Sequence, residues 1–384
     1  MNTVGGNCNS HRVALIGPTA EKFKGGIAQF TTRLAEVLSA GGPLKFVSWN
    51  QIYPYFLSKR DFVDRVSGDR IATVTTHYLL TFMNPISWIA AANAIVAFKP
   101  DKVILTWTHP VHAPVYLIMI LILRCRTKAE LVLLCHNVMP HESFVGAQWL
   151  SRLVYRSVDR LIVHGSSEFE AAAKLVPPDK LTQLFLPLFD RLTAQHSSDA
   201  NLSGEESRTL LFFGIIRPYK GLDVLLEALP MIRERVPGVK LRVVGEYFES
   251  KSSGEDPLTL ISKLGLEDIV ETDIRYIPNE EVGPIFNSAA VAVFPYRSAT
   301  QSGVIATAYA NAVPVIATRV GSIPDMVEEG VSGYLAEPEN PEALAAAVER
   351  FFAHPLSRAA VRDFAGKFSW PRYVSGLTNG SISE

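Results

Sequence analysis

Short, continuously apolar runs alternate with amphipathic stretches along most of this chain. Val13 to Ile16 is apolar and stops at Gly17-Pro18, the mark of a strand. After a loop to Gly25-Gly26, the residues Ile27, Phe30, Leu34, Val37 and Leu38 recur at helical spacing until Gly41-Gly42. The same reading predicts strands at Phe46 to Trp49, Val103 to Trp107, Leu131 to Cys135 and Leu161 to His164. Helices are predicted over Ile86 to Phe98, Trp149 to Val158 and Glu168 to Leu175, with the apolar stretch Ala113 to Leu123 as a buried helix. Asn50 to Arg70 reads as irregular. The polar stretch 195–208, QHSSDANLSGEESR, breaks the pattern and reads as a linker. The alternation then restarts. Strands are expected at Leu210 to Phe213, Leu241 to Val244, Val291 to Phe294 and Val315 to Thr318, with Glu271 to Tyr276 extended. Helices are expected at Leu222 to Arg235, Thr259 to Leu264, Glu280 to Ser288 and Pro341 to Phe352.

Continuously apolar strands alternating with helices belong to parallel sheets covered on both faces. The fold class is therefore α/β, with two doubly wound Rossmann-like domains facing a central cleft at the carboxyl ends of their strands. The expected organisation is a disordered leader over 1–11, an N-terminal domain over 12–194, the linker 195–208 and a C-terminal domain over 209–355. A helix and tail over 356–384 are expected to pack back on the N-terminal domain.

Composition narrows the function classes. With 384 residues there is room for two domains. Lys and Arg total 37 against 38 Asp and Glu, so no broad nucleic-acid footprint is implied. Cys8, Cys125 and Cys135 share no metal-ligand spacing, and no Asp-x-Asp signature stands out, so no metal is expected. The odd cysteine count fits a reducing compartment. The first residues lack an apolar core, so no secretory signal is expected. The run Ala113 to Leu123 is too short for a bilayer, which needs about 20 residues. A cytoplasmic location follows.

The candidate chemistry lies in two turns. In YRSATQSGVIATAYANAVPVIAT, Tyr296 to Thr318, small and hydroxyl residues run into a short helix whose first N–H groups are open to an anion. Upstream, GIIRPYKG places Arg217 and Lys220 at another helix start. Two helix N-termini with two cations suggest a diphosphate site. The rival reading of Lys220 is a solvated lysine near a turn.

GIIRPYKGLDVLLEALP, LRVVGEY and NAVPVIATRVGSIPDMVEEGVSGYL follow in order and spacing the motifs of the retaining glycosyltransferases of family 4, with the GT-B fold, and the chain resembles that family over Leu210 to Leu335. KGGIAQFTTRLAEVL and LVLLCHNVMPHE carry a weaker match. The resemblance implies transfer of a sugar from a nucleotide diphosphate donor, bound by the C-terminal domain, to an acceptor on the N-terminal domain, with retention. It gives Lys220 the donor diphosphate, Gly25 and Gly26 the close approach to phosphate and sugar, and His136 a place by the transferred sugar as the catalytic candidate. The Ser302, Gly303 and Val304 amides would hold the leaving diphosphate. Ile277, in Tyr276-Ile277-Pro278, corresponds to the backbone that reads the nucleobase. The family's arginine usually follows the glycine matching Gly214. Here Ile215 holds that place and Arg217 is the substitute. His109, His141 and Glu142 are acceptor-side candidates, with His112 beside them; capping or packing is their rival reading.

One departure matters. The family usually carries two glutamates with seven residues between them, at positions held here by Ala299 and Thr307. Thr307 can still bond a ribose; Ala299 offers no side-chain bond. The chain thus resembles a subgroup lacking the pair. Arg152, Arg156 and Arg160, at steps of four, are read as one helix face: solvated by preference, docked on anionic lipid as the alternative. The expected function is sugar transfer to a saccharide or lipid-linked acceptor, in polysaccharide or glycolipid assembly, in the cytoplasm or at the inner membrane face. Two rivals stay open, a non-catalytic nucleotide-binding subunit and a nucleotide-sugar epimerase.

Overall fold

The computed structural model describes residues 11–23, 25–53, 74–138, 146–193, 207–247 and 257–379. Two compact units share the chain. One comprises Met1–His164, Glu168–Leu184 and Tyr373–Glu384; the other comprises Gly165–Ser167 and Phe185–Arg372.

In the first unit the strands are β1 (Val13–Ile16), β2 (Leu44–Gln51), β3 (Thr76–Thr81), β4 (Lys102–Trp107), β5 (Glu130–Cys135), β6 (Arg160–His164) and β7 (Leu181–Leu184). They lie in the order β3-β2-β1-β4-β5-β6-β7, and every pairing is parallel. β1 and β4 are buried at every position because helices cover both faces of the sheet. In the second unit β8 (Thr209–Phe213), β9 (Lys240–Val244), β10 (Val270–Asp273), β11 (Val291–Phe294), β12 (Val315–Thr318) and β13 (Gly333–Ala336) form a parallel sheet in the order β10-β9-β8-β11-β12-β13. Each sheet reverses its winding once, between β1 and β4 and between β8 and β11. Such a switch point leaves a crevice at the strand carboxyl ends.

The structure adds β3, β7 and β13, which apolar runs do not announce. β3 is THYLLT on a sheet edge, mostly half-buried, and β7 is a four-residue edge strand. β13 begins at a glycine that permits close approach, since a Cβ on Gly333 would meet the Val315 carbonyl at 2.3 Å. The units also differ from the expected ranges. Residues 185–194 and 356–372 group with the second unit and only 373–384 with the first. Leu188 explains part of this: its N–H donates to the Phe368 carbonyl, and its own carbonyl accepts from the Trp370 indole. Most of the expected leader and linker lies outside the described residues.

Candidate functional site

In the second unit the loops after β8 and β11 meet at the switch point. The first makes a short turn, Pro218–Lys220, ahead of the helix Leu222–Arg235. Lys220 is only 6% exposed, and its ammonium lies 5.7 Å from the centre of the Tyr296 ring. Gly214, directly after β8, has φ +110°; a Cβ there would come within 2.9 Å of Lys220 Nζ and 3.5 Å of Val304 Cγ2. So Gly214, the Lys220 ammonium and the first turn of the helix Gly303–Ala310 converge on one spot. Burial first, and the Arg217 charge second, push Lys220 down to about 8. An anion beside the Lys220 ammonium would offset both the burial and the neighbouring positive charge.

The turn is held by Arg297. Its guanidinium grips Asp223 with two bonds of 2.8 and 2.7 Å and donates to the Pro218 carbonyl at 2.8 Å. Its N–H reaches the Tyr219 carbonyl. Burial alone would raise the Asp223 carboxyl; the Arg297 bonds more than offset this and leave it below its ordinary value.

Ser302 caps the helix Gly303–Ala310 by accepting from Ile305 N–H, and its hydroxyl lies 3.4 Å from that of Tyr296. The cap takes the third amide of the helix and leaves those of Gly303 and Val304 as the ones the helix itself cannot satisfy. A Cβ on Gly303 would press on the Phe189 ring at 3.2 Å. Thr307 is buried, and its proton is committed to the Gly303 carbonyl at 2.9 Å, so toward a ribose it can only accept. The carbonyl of Ala299 packs against Gly321, where a Cβ would fall 1.6 Å away. Ile277 is buried just before the helix Asn279–Asn287.

In the first unit, Gly25 opens the helix Gly26–Gly41 with φ +110°, and a Cβ there would meet nothing. Its need is conformational, and Gly26 beside it is exposed. His109 caps the turn after β4, Nδ1 accepting from Val111 N–H at 3.2 Å. His112 is fully buried, bonded to Thr108 at 2.9 Å and to the Ile52 carbonyl at 2.9 Å. Its ring packs against Trp49, Tyr53 and Phe82. For these two histidines the capping and packing reading fits. His141 and Glu142 lie outside the described residues.

His136 directly follows β5 and stacks on His164, which ends β6, with ring centres 5.1 Å apart. Phe30 meets both rings edge-on. His164 in turn stacks on Tyr373 and bonds its hydroxyl at 2.8 Å. Burial pushes His136 down to about 4, so it is neutral at physiological pH. Sequence reasoning passed over His164 and Tyr373. A histidine closing each of two neighbouring strands was the available signal.

The arginine face needs correction. The helix is Ala147–Arg156, and Arg160 stands on β6, where its Nε meets Glu130 at 3.1 Å and its guanidinium bonds the Leu377 carbonyl. The step of four continued past the helix end, through the turn at Ser157. Arg152 and Arg156 alone share the exposed face.

Residues 207–354 match the family model described as Glycosyl transferases group 1. Among solved structures, Anabaena Alr3699/HepE in complex with UDP superposes with a TM-score of 0.70 at 14% identity, covering 96% of this chain and 100% of that one. Sucrose-phosphate synthase (tll1590) from Thermosynechococcus elongatus gives 0.67 at 18% identity, covering 96% and 100%. The fold is GT-B. Relatives in sequence sit over part of this GT-B chain. A D-inositol 3-phosphate glycosyltransferase of Segniliparus rotundus is 33% identical over 208 residues, 53% of this chain and 45% of that protein. Its namesake in Geodermatophilus obscurus is 32% identical over 242 residues, 58% and 52%. The GT-B chain thus spans about half the length of the curated relatives it matches. Among the described residues no cluster of three or more His, Cys, Asp or Glu could hold a metal, and no helix is long and apolar enough to cross a membrane.

Proposed function

We propose that this chain transfers a sugar from a nucleotide diphosphate donor to a saccharide or lipid-linked acceptor, with retention of anomeric configuration. One observation carries the reading: Gly214 brings the buried Lys220 ammonium beside the first turn of Gly303–Ala310. Cation and helix amides are the two devices that neutralise a diphosphate. They stabilise it most as it leaves, when its charge grows. The match of 207–354 to a glycosyltransferase family, and a similar fold solved with UDP, support the same assignment. Arg217 supplies the second cation in place of the residue that Ile215 displaces. The Ile277 backbone is assigned to the nucleobase and the Thr307 hydroxyl, as acceptor, to the ribose. The Gly25-Gly26 loop and His136 are assigned to the phosphate and transferred sugar. His136, being neutral, acts there through hydrogen bonds and not through charge. The acceptor hydroxyl attacks on the face the diphosphate leaves, and a phosphate oxygen takes its proton.

Calorimetric titration with UDP, ADP and GDP, followed by product analysis with each matching sugar donor, tests the reading. One nucleotide is expected to bind, and its sugar donor to be consumed only with acceptor present. Binding without turnover of any donor would favour the non-catalytic subunit. Isomerised donor without acceptor would favour the epimerase.

A further inference from the structure

Arg152 and Arg156 belong to a larger surface. In the first unit the helix Ala113–Arg126 packs against both Pro85–Phe98 and Ala147–Arg156, so the three form one layer. Five large apolar side chains stand exposed on this layer and its leading turn: Met83, Ile86, Ile89, Leu121 and Trp149. Ile86 reaches 77% exposure. Among the described residues the other exposed large apolar side chains are Ile215 and Tyr219. Singly exposed apolar residues are ordinary, but five on one layer make a patch.

The charge on the same layer is one-sided. From 84 to 99, 113 to 128 and 146 to 157 the sequence holds Lys99, Arg124, Arg126, Lys128, Arg152 and Arg156 and no Asp or Glu. The whole chain is nearly balanced, 37 basic against 38 acidic, so the segregation is local. All of these cations are exposed. Arg124 is paired with Asp159 at 2.7 Å, and Arg126 bonds the Asn93 side chain, which ties two helices of the layer together. The apolar side chains lie mainly at the amino ends of the three helices and the cations in or just past their carboxyl halves, and a face that joins an apolar to a cationic region matches a surface that is apolar within and anionic at its rim. A second copy of this chain is disfavoured as the occupant, because the same segments of its face would offer these cations no carboxylate to meet.

We propose that this three-helix face docks on an anionic lipid bilayer. Ile86, Ile89, Leu121 and Trp149 enter the boundary between headgroups and acyl chains, while Arg126, Lys128, Arg152 and Arg156 meet lipid phosphates. The docking adds to the transferase reading where the acceptor is lipid-linked and does not depend on it.

The full chain is sedimented with vesicles of phosphatidylcholine alone and of an equal mixture with phosphatidylglycerol. Binding is expected only to the mixture and falls as salt rises. Ile86→Asp and Trp149→Asp each weaken it about tenfold, the order expected for withdrawing one large apolar side chain. The pair Arg126→Gln with Arg152→Gln lowers the salt concentration at which binding is lost. Thermal unfolding and nucleotide diphosphate titration of each variant, unchanged from wild type, show that it has folded. Equal binding to both vesicle types, no binding to either, or wild-type binding by folded Ile86→Asp and Trp149→Asp overturns the proposal. So does a dimer, seen in analytical ultracentrifugation, that Ile86→Asp dissociates. Vesicle binding by a chain that binds no nucleotide would instead leave docking standing and remove the transferase reading.

Discussion

His164 Nε2 lies 2.8 Å from the Tyr373 hydroxyl, with both residues almost wholly buried. This bond fastens the C-terminal helix Trp370–Asn379 to the end of β6. The far end of that helix is held as well: Lys102 Nζ reaches the carbonyls of Leu377 at 3.4 Å and Thr378 at 3.1 Å, and Glu130 bridges Lys102 and Arg160. Cations at a helix carboxyl end complement its dipole. Tyr373→Phe keeps the ring but strips a buried imidazole nitrogen of its partner, and is expected to lower stability by about 1–3 kcal/mol. Denaturant unfolding of the two proteins measures it. Coincident midpoints would mean that the bond contributes nothing net.

Acid should loosen the same unit. His112, His136 and His164 are buried in the first unit. Desolvation pushes His112 and His136 down to about 4 and His164 well below its ordinary value, with His136 adding to the effect on His164. In the unfolded chain each titrates near 6.5. The folded pKa is the lower one, so below about 6.5 the unfolded state binds more protons and stability falls with pH. Denaturant midpoints are expected to hold steady between about pH 7 and 8 and to decline steadily from about 6.5 toward 4. A flat midpoint over that window would show that these imidazoles ionise as easily folded as unfolded.

Lys220 separates stability from binding. Its pKa is pushed down to about 8, chiefly by burial, so below that pH the empty site holds a charge it would shed more readily than in the unfolded chain. The unfolded lysine titrates near 10.4. Stability without ligand should therefore rise as pH climbs from about 8 to 10.4, while nucleotide diphosphate affinity falls as the ammonium is lost. Lys220→Met should raise the melting temperature of the ligand-free protein. It should also weaken diphosphate binding by about 1.5–3 kcal/mol, the range for a hydrogen bond to a charged group. Calorimetry and thermal unfolding read the two effects. A folded variant with wild-type affinity takes Lys220 out of the site.

Much of this architecture was legible because parallel strands buried on both faces are written as plain apolar runs; β1, β4, β5, β6, β8, β11 and β12 all announce themselves so. What escaped lacks that signature. β3 is half polar on an edge, β7 is short, and β13 follows glycine-rich turns. Lys220 and Gly303 could be singled out as candidates because phosphate chemistry favours particular residue types at helix starts. Gly214 was read only as the glycine before Ile215, since its proximity to Lys220 and Val304 depends on two loops from strands that are neighbours in the sheet but far apart in sequence. Arg297 could not be read as the support of the Lys220 turn, because its partner Asp223 is 74 residues away. Arg160 shows the converse error: periodicity was extended across a helix end that only the fold reveals.

Catalysis without the glutamate pair is the sharpest test. At the two positions stand Ala299, whose carbonyl is packed against Gly321, and Thr307, whose proton is given to Gly303. Neither supplies a carboxylate to the sugar or ribose. The elements assigned to the leaving group are nevertheless in place: Lys220, and the amides of Gly303 and Val304 behind the Ser302 cap. Interactions that strengthen as charge develops raise turnover, whereas those that only orient the ground state mainly tighten binding. The chain is therefore expected to turn over its donor, to do so in excess chelator, and to keep the donor's anomeric configuration. His136→Ala should cut kcat more than it weakens donor binding, because a neutral imidazole by the reacting sugar acts mainly on the transition state. Since burial keeps His136 neutral, with a pKa of about 4, kcat should show no step near pH 6.5. The product anomer is read by proton NMR, and donor affinity by calorimetry. An inverted product would refute retention, and activity lost with chelator and restored by a divalent cation would refute the metal-free route. If His136→Ala weakens donor binding as much as turnover, His136 is a binding residue and the chemistry rests on the second unit's cation and amides.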